Sequence, residues 1–141
     1  MTVDHSPARA PVVLVADDQE LVVRSLETVL TPRGLSVMPA YSGTQALMLA
    51  FSAQPDAIIL DYQMPDLTAA EICRELRSDP RFPRNVPIIV TVAGSYSRIH
   101  RLNAYQAGAW DVCTEPFDIE VLLIKLDRYL EARLSAPAAR Y

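Results

Sequence analysis

Three aspartates carry the chemistry most open to a reader of this chain. Asp17 and Asp18 follow the apolar run Val12-Val13-Leu14-Val15-Ala16, and Asp61 follows Ala57-Ile58-Ile59-Leu60. Carboxylates gathered at the ends of neighbouring strands repel one another, by on the order of several kcal/mol for a close pair at an effective dielectric of about 20. A hard divalent cation with oxygen ligands, Mg²⁺ above all, resolves that repulsion. An aspartate at such an ion, in a loop leading into a helix, is a nucleophile toward a phosphoryl group. The competing use of each aspartate is as the cap of the helix that follows its strand. A cap accounts for one of them, whereas the pair together with Asp61 points to a shared site.

The elements that must position these residues can be read from periodicity. Val12–Ala16 is a continuous β-rich run, as a strand buried on both faces should be. Leu21, Val22, Leu26, Val29 and Leu30 form a helical stripe ending near Pro32-Arg33-Gly34. Leu35–Met38 predicts a second strand, and Ser42-Gly43-Thr44 opens a helix carrying Ala46, Leu47, Ala50 and Phe51. Ala57–Leu60 predicts the third strand, followed by the Met64-Pro65-Asp66 turn and a helix marked by Ala69, Ile72, Cys73 and Leu76. The proline-rich stretch from Ser78 to Pro87 predicts a loop. Ile88–Val92 predicts a fourth strand, and Ile99 and Leu102 supply the stripe of the helix after it. Trp110–Cys113 predicts a fifth strand, and Ile119, Leu122, Leu123, Leu126 and Leu130 line the last helix. Five strands alternating with five helices predict an α/β, flavodoxin-like, doubly wound parallel sheet of order 2-1-3-4-5. In that order strands one and three are neighbours, so Asp17, Asp18 and Asp61 converge on one crevice.

Composition narrows the function classes. The chain has 141 residues, half of them hydrophobic, which suits one domain with a proper core. The expected division is a disordered segment over 1–10, a domain over 11–134 and a flexible tail or linker over 135–141. Thirteen basic against seventeen acidic residues give a net charge of −4, which argues against direct nucleic-acid binding. No apolar run is long enough for a membrane span, and the first residues lack an apolar signal core. Cys73 and Cys113 make no disulfide framework, and the expected setting is a reducing cytoplasm. Twelve of the basic residues are Arg, and Lys125 is the single lysine.

The segments ending in Asp17-Asp18, the run Ile-Ile-Leu-Asp61-Tyr-Gln-Met-Pro-Asp66, and Gly108-Ala109 with Glu115-Pro116-Phe117 resemble the receiver domain of bacterial two-component response regulators. The resemblance covers about Pro11 to Leu134. It implies that Asp61 is the phosphoacceptor for a histidine kinase or phosphotransfer protein. It further implies that Asp18 binds Mg²⁺ directly, that Asp17 does so largely through water, and that the backbone carbonyl of Gln63 completes the ligands. Pro116 would follow a cis peptide bond. The partner face would be the fourth helix, fifth strand and fifth helix.

The chain departs from that pattern on the side that responds to the phosphoryl group. Where the family places a Lys before the Pro-Phe of strand five stands Glu115, and Lys125 lies too far along to replace it. A phosphoryl group brings about −1.5 to −2 charges, so the change removes an attraction and adds a repulsion. The family's switch Thr or Ser falls five residues after the proline that opens strand four, which here is Val92. Thr91 is one residue off and, by strand alternation, on the other face; Ser95 in the next loop is another candidate. The switch aromatic falls at Val112, with Trp110 two residues earlier, and the glycine after the Met-Pro-Asp turn is Ala69. Arg98 is a candidate for the cation that Glu115 removes, while a solvated basic helix accounts equally for Arg98 and Arg101.

Two readings follow. In the first, Asp61 is phosphorylated and the domain signals through an altered switch to a downstream protein or fused output domain. In the second, a degenerate receiver binds a protein partner or forms a homodimer without phosphate. A Mg²⁺-dependent phosphatase is a remote third, since neither a second aspartate two residues after Asp17 nor a glycine-rich phosphate loop is present. His5, in the N-terminal segment, and His100, beside Ile99, are expected to have no role, and both cysteines to be core residues.

Overall fold

The computed structural model describes residues 9–135. His5 lies outside that range, as do most of the two end segments. Five parallel strands form one sheet in the order β2-β1-β3-β4-β5. They are β1 (Val12–Ala16), β2 (Ser36–Ala40), β3 (Ala57–Asp61), β4 (Ile88–Ala93) and β5 (Asp111–Glu115). The helices are α1 (Glu20–Leu30), α2 (Gly43–Ala53), α3 (Ala69–Ser78), α4 (Ser97–Ala107) and α5 (Ile119–Leu134). This is the flavodoxin-like doubly wound arrangement expected from the alternation of elements.

Strand alternation splits the core in two. Leu14, Ile58, Leu60, Ile88, Val90 and Val92 face α2, α3 and α4, and Val13, Val15, Ile59 and Ile89 face α1 and α5. The central strands β1, β3 and β4 are covered on both sides, which is why they read as unbroken apolar runs. The helix α5 buries Leu122, Leu123, Leu126 and Leu130, each contributing roughly 1.5–3 kcal/mol of transfer free energy.

Two strand boundaries and one helix face differ from expectation, each for a local reason. The strand β2 runs on through Pro39 to Ala40, because β2 is an edge strand and a missing N–H there costs no ladder bond. The strand β5 begins at Asp111 and continues through Thr114 to Glu115, polar residues that an apolar count passes over. In α4 the expected stripe is on the wrong side. Ile99 and Leu102 are 59% and 55% exposed, and the helix packs through Ala104 and Ala107.

The turn after β3 is fastened at two points. Met64 is buried in the α2–α4 core. Asp66 accepts hydrogen bonds from the Gly43 and Thr44 amides and the Thr44 hydroxyl at 2.7–2.8 Å. These bonds hold its carboxyl far below the ordinary carboxylate range, and a carboxylate at the N-terminus of α2 also meets the positive end of the helix dipole. A Cβ at Gly43 would come within 2.6 Å of the Leu67 Cβ, so the approach of turn and helix needs glycine.

Candidate functional site

The strand ends bring the acidic residues together as the topology requires. Asp17 directly follows β1, Asp61 ends β3 and Glu115 ends β5. One carboxylate oxygen from each lies within 4.8 Å of the others. Asp17 is 4% exposed, and its carboxylate accepts the amide of Gln19, the residue just before α1, at 2.8 Å. Asp18 is exposed and lines the outer part of the crevice with Asp61, Gln63, His100 and Glu115. An inner hollow between α1 and the start of α5 is lined by Asp17, Asp61, Glu115, Pro116 and Phe117. The Glu115–Pro116 peptide bond is cis.

Crowding and burial make these carboxylates poor anions on their own. Burial, then the charges of Asp17, Glu115 and Asp18, push the Asp61 carboxyl up to about 7. Burial, opposed by the Gln19 amide and helped by the charges of Asp18 and Glu115, pushes Asp17 up to about 6. Three hard oxygen donors at this spacing suit Mg²⁺, whose charge would relieve both effects. The donor set therefore fits the ion, with Asp17, Asp61 and Glu115 as its nearest holders.

The residues singled out as switch candidates lie on both faces of the sheet. Asp61 pairs in register with Thr91, and Ala93 with Glu115. Thr91 is 3% exposed and shares the strand parity of Ile89, on the α1/α5 side. Val92 and Val112 are buried on the opposite side, among the α2–α4 core residues. Trp110 packs edge-on against Tyr129 of α5, ring centroids 5.6 Å apart. Cys73 and Cys113 are buried and unpaired.

No arginine or lysine among the described residues lines either hollow. Arg98 is exposed and lines neither hollow. Arg101 turns to β5, donating to the Val112 carbonyl at 3.4 Å and the Thr114 hydroxyl at 3.2 Å. Lys125 pairs with Asp111 at 3.1 Å. His100, expected to have no role, borders the crevice with its ring stacked on Tyr62 at 4.0 Å. No spacing signal in the sequence marked it, because the stack joins α4 to the residue after β3.

Comparison with known proteins fits this geometry. Residues 13–127 match the family described as Response regulator receiver domain, and the chain belongs to that family. Response regulator MprA of Mycobacterium bovis (strain BCG / Pasteur 1173P2) is 38% identical over 127 residues, covering 90% of this chain and 54% of MprA. MprA of Mycobacterium avium (strain 104) is 40% identical over 114 residues, covering 81% and 48%. The chain thus spans about half the length of the curated relatives it matches. Among solved structures, the Francisella response regulator 1452 receiver domain superposes with a TM-score of 0.77 at 29% identity, covering 86% of this chain and 97% of that one. The signal receiver domain of a histidine kinase from Syntrophus aciditrophicus shares the fold, with a TM-score of 0.82 at 24% identity over 94% and 98% of the two chains. Among the described residues no helix is long and apolar enough to cross a membrane.

Proposed function

We propose that Asp61 is the phosphoryl acceptor of this cytoplasmic receiver domain, spanning 11–134, and that it takes its phosphoryl group from a histidine kinase or phosphotransfer protein. The observation that carries this is the Asp17–Asp61–Glu115 trio, gathered at the carboxyl ends of β1, β3 and β5, where open α/β sheets hold their ligands. A carboxylate oxygen of Asp61 attacks the phosphorus of a phosphohistidine. The new O–P bond forms as the P–N bond breaks, and the leaving imidazole nitrogen keeps the electron pair. The products are an aspartyl phosphate and a histidine on the donor, neutral because its other ring nitrogen carries a proton.

Asp17, Asp18, Asp61 and the Gln63 carbonyl would hold Mg²⁺, with Glu115 joining them. The ion supplies neutralisation of the negative charge that accumulates during transfer. Asp17 stands beside the acceptor oxygen of Asp61, and Phe117 and Leu26 line the apolar side of the inner hollow. Val92 and Val112 replace the hydroxyl and aromatic of the ordinary switch, so the readout differs from the family pattern. Exposed Tyr96, Ile99, Leu102 and Tyr105 of the α4 region and Val121 and Ile124 of α5 give an apolar surface. That surface suits a downstream protein, a fused output domain or a second copy of the chain.

A second reading, a receiver that docks a partner without phosphate, is favoured by one feature. Glu115 puts a carboxylate where a phosphoryl group needs a cation. Incubation with a phosphorylated histidine kinase separates the two. Label passing to the wild type and not to Asp61→Asn supports the acceptor. Label retained by several kinases, with Mg²⁺ binding intact, favours the second reading.

A further inference from the structure

His100 of α4 is the one basic side chain among the residues that line the two hollows around Asp61. Its ring lies flat on Tyr62, with 11° between the planes, and Tyr96 tilts against it at 5.7 Å. Tyr62 is itself fixed, being 6% exposed, with its hydroxyl accepting from the Asn103 amide nitrogen at 3.2 Å. Stacking takes up the faces of an imidazole and leaves its two nitrogens, at the ring edge, for other partners. The ring is therefore oriented from both sequence neighbours of the site, the residue after Asp61 and the start of α4.

The imidazole does not share the cation position. The ligand atoms within 4.8 Å of one another belong to Asp17, Asp61 and Glu115, and His100 is not among them. It lines the outer hollow, a space of about 250 Å³ that Asp18, Asp61 and Glu115 also border. Because Asp61 borders that space, a phosphoryl group on it can present its three acceptor oxygens there. Glu115 has no donor to offer them. An imidazole has an N–H in its neutral form and two when protonated, so it donates in either state.

We propose that His100 is the donor that holds the phosphoryl group on Asp61, in place of the cation for which Glu115 is substituted. The proposal rests on the acceptor reading above. A direct test compares wild type, Asp61→Asn, His100→Phe and His100→Gln for adduct level by intact mass with acetyl phosphate and Mg²⁺. Mg²⁺ affinity is measured beside it by calorimetry. Phe keeps a ring against Tyr62 without an N–H, and Gln keeps a donor.

The expected result is about tenfold less adduct in His100→Phe, as for loss of one hydrogen bond to a charged group, with Mg²⁺ affinity as in the wild type and substantial recovery in His100→Gln. Wild-type adduct levels in His100→Phe overturn the assignment. So does a parallel loss of Mg²⁺ affinity, or a Gln variant as impaired as the Phe variant, since either assigns the effect to packing. A wild type that takes no phosphoryl group overturns the acceptor reading, and the role of His100 with it. A phosphorylated wild type matched by His100→Phe overturns the role of His100 alone.

Discussion

Glu115 holds a carboxylate oxygen within 4.8 Å of one on Asp61, at the ends of β5 and β3. The two strands are separated by β4, whose Thr91 pairs with Asp61 and whose Ala93 pairs with Glu115. The Glu115 carboxylate is thereby joined to the acidic cluster of Asp17 and Asp61.

Removing that charge should weaken the ion more than the fold. Glu115→Gln is expected to lower Mg²⁺ affinity about tenfold, a loss of about 1.4 kcal/mol, read by calorimetric titration. Glu115→Lys should lower it further and raise the yield of phosphorylated protein. Unchanged affinity in the Gln variant would mean that Glu115 takes no part in holding the ion.

The same crowding sets a pH dependence in metal-free protein. The carboxyls of Asp17 and Asp61 are raised from 3.8 to about 6 and about 7, chiefly by burial. Between those values and 3.8 the folded chain binds more protons than the unfolded one, so stability falls as pH rises. Thermal melts in chelator should therefore show Tm decreasing from about pH 4 to about pH 7, with a shallower slope in Asp61→Asn. Excess Mg²⁺ should flatten the wild-type curve at its upper end. A wild-type slope equal to that of Asp61→Asn would contradict the coupling.

Much of this was legible in the sequence. The runs of β1 and β3 with their terminal aspartates located the crevice, because strands buried on both faces have to be apolar until they reach the ligand end. Asp17 joins the acidic trio, while α1 has no side-chain cap and α3 is capped by Thr68, so the cap use weighed for these aspartates is not taken up. The side of α4 was not legible, because Ala104 and Ala107 bury it while the large residues Ile99 and Leu102 point out. Small residues carry little weight in a hydrophobic stripe, yet they set how closely a helix approaches its sheet. His100 was missed for a different reason: its place depends on Tyr62, a contact between elements that no local pattern encodes.

Two substitutions test the packing around the site. Val92 is fully buried among apolar neighbours, and Val92→Thr puts a hydroxyl there. The expected cost is about 1–3 kcal/mol by chemical denaturation. No loss would mean that the hydroxyl finds a partner, as a working switch position requires.

Gly43→Ala drives a methyl to 2.6 Å from the Leu67 Cβ, beside the Asp66 carboxylate that binds the α2 N-terminus. Overpacking of this kind should cost about 1–3 kcal/mol and loosen the turn that follows Asp61. Denaturant midpoints check the first effect and amide exchange over 62–68 the second. Unaltered exchange would show that the turn is held independently of its contact with α2.

The central claim is that Asp61 accepts a phosphoryl group despite Glu115. Intact mass after incubation with acetyl phosphate and Mg²⁺, beside Asp61→Asn, tests it most directly. One added phosphoryl group on the wild type and none on the variant is the predicted result. No adduct on the wild type with several donors, while Mg²⁺ still binds, would contradict it.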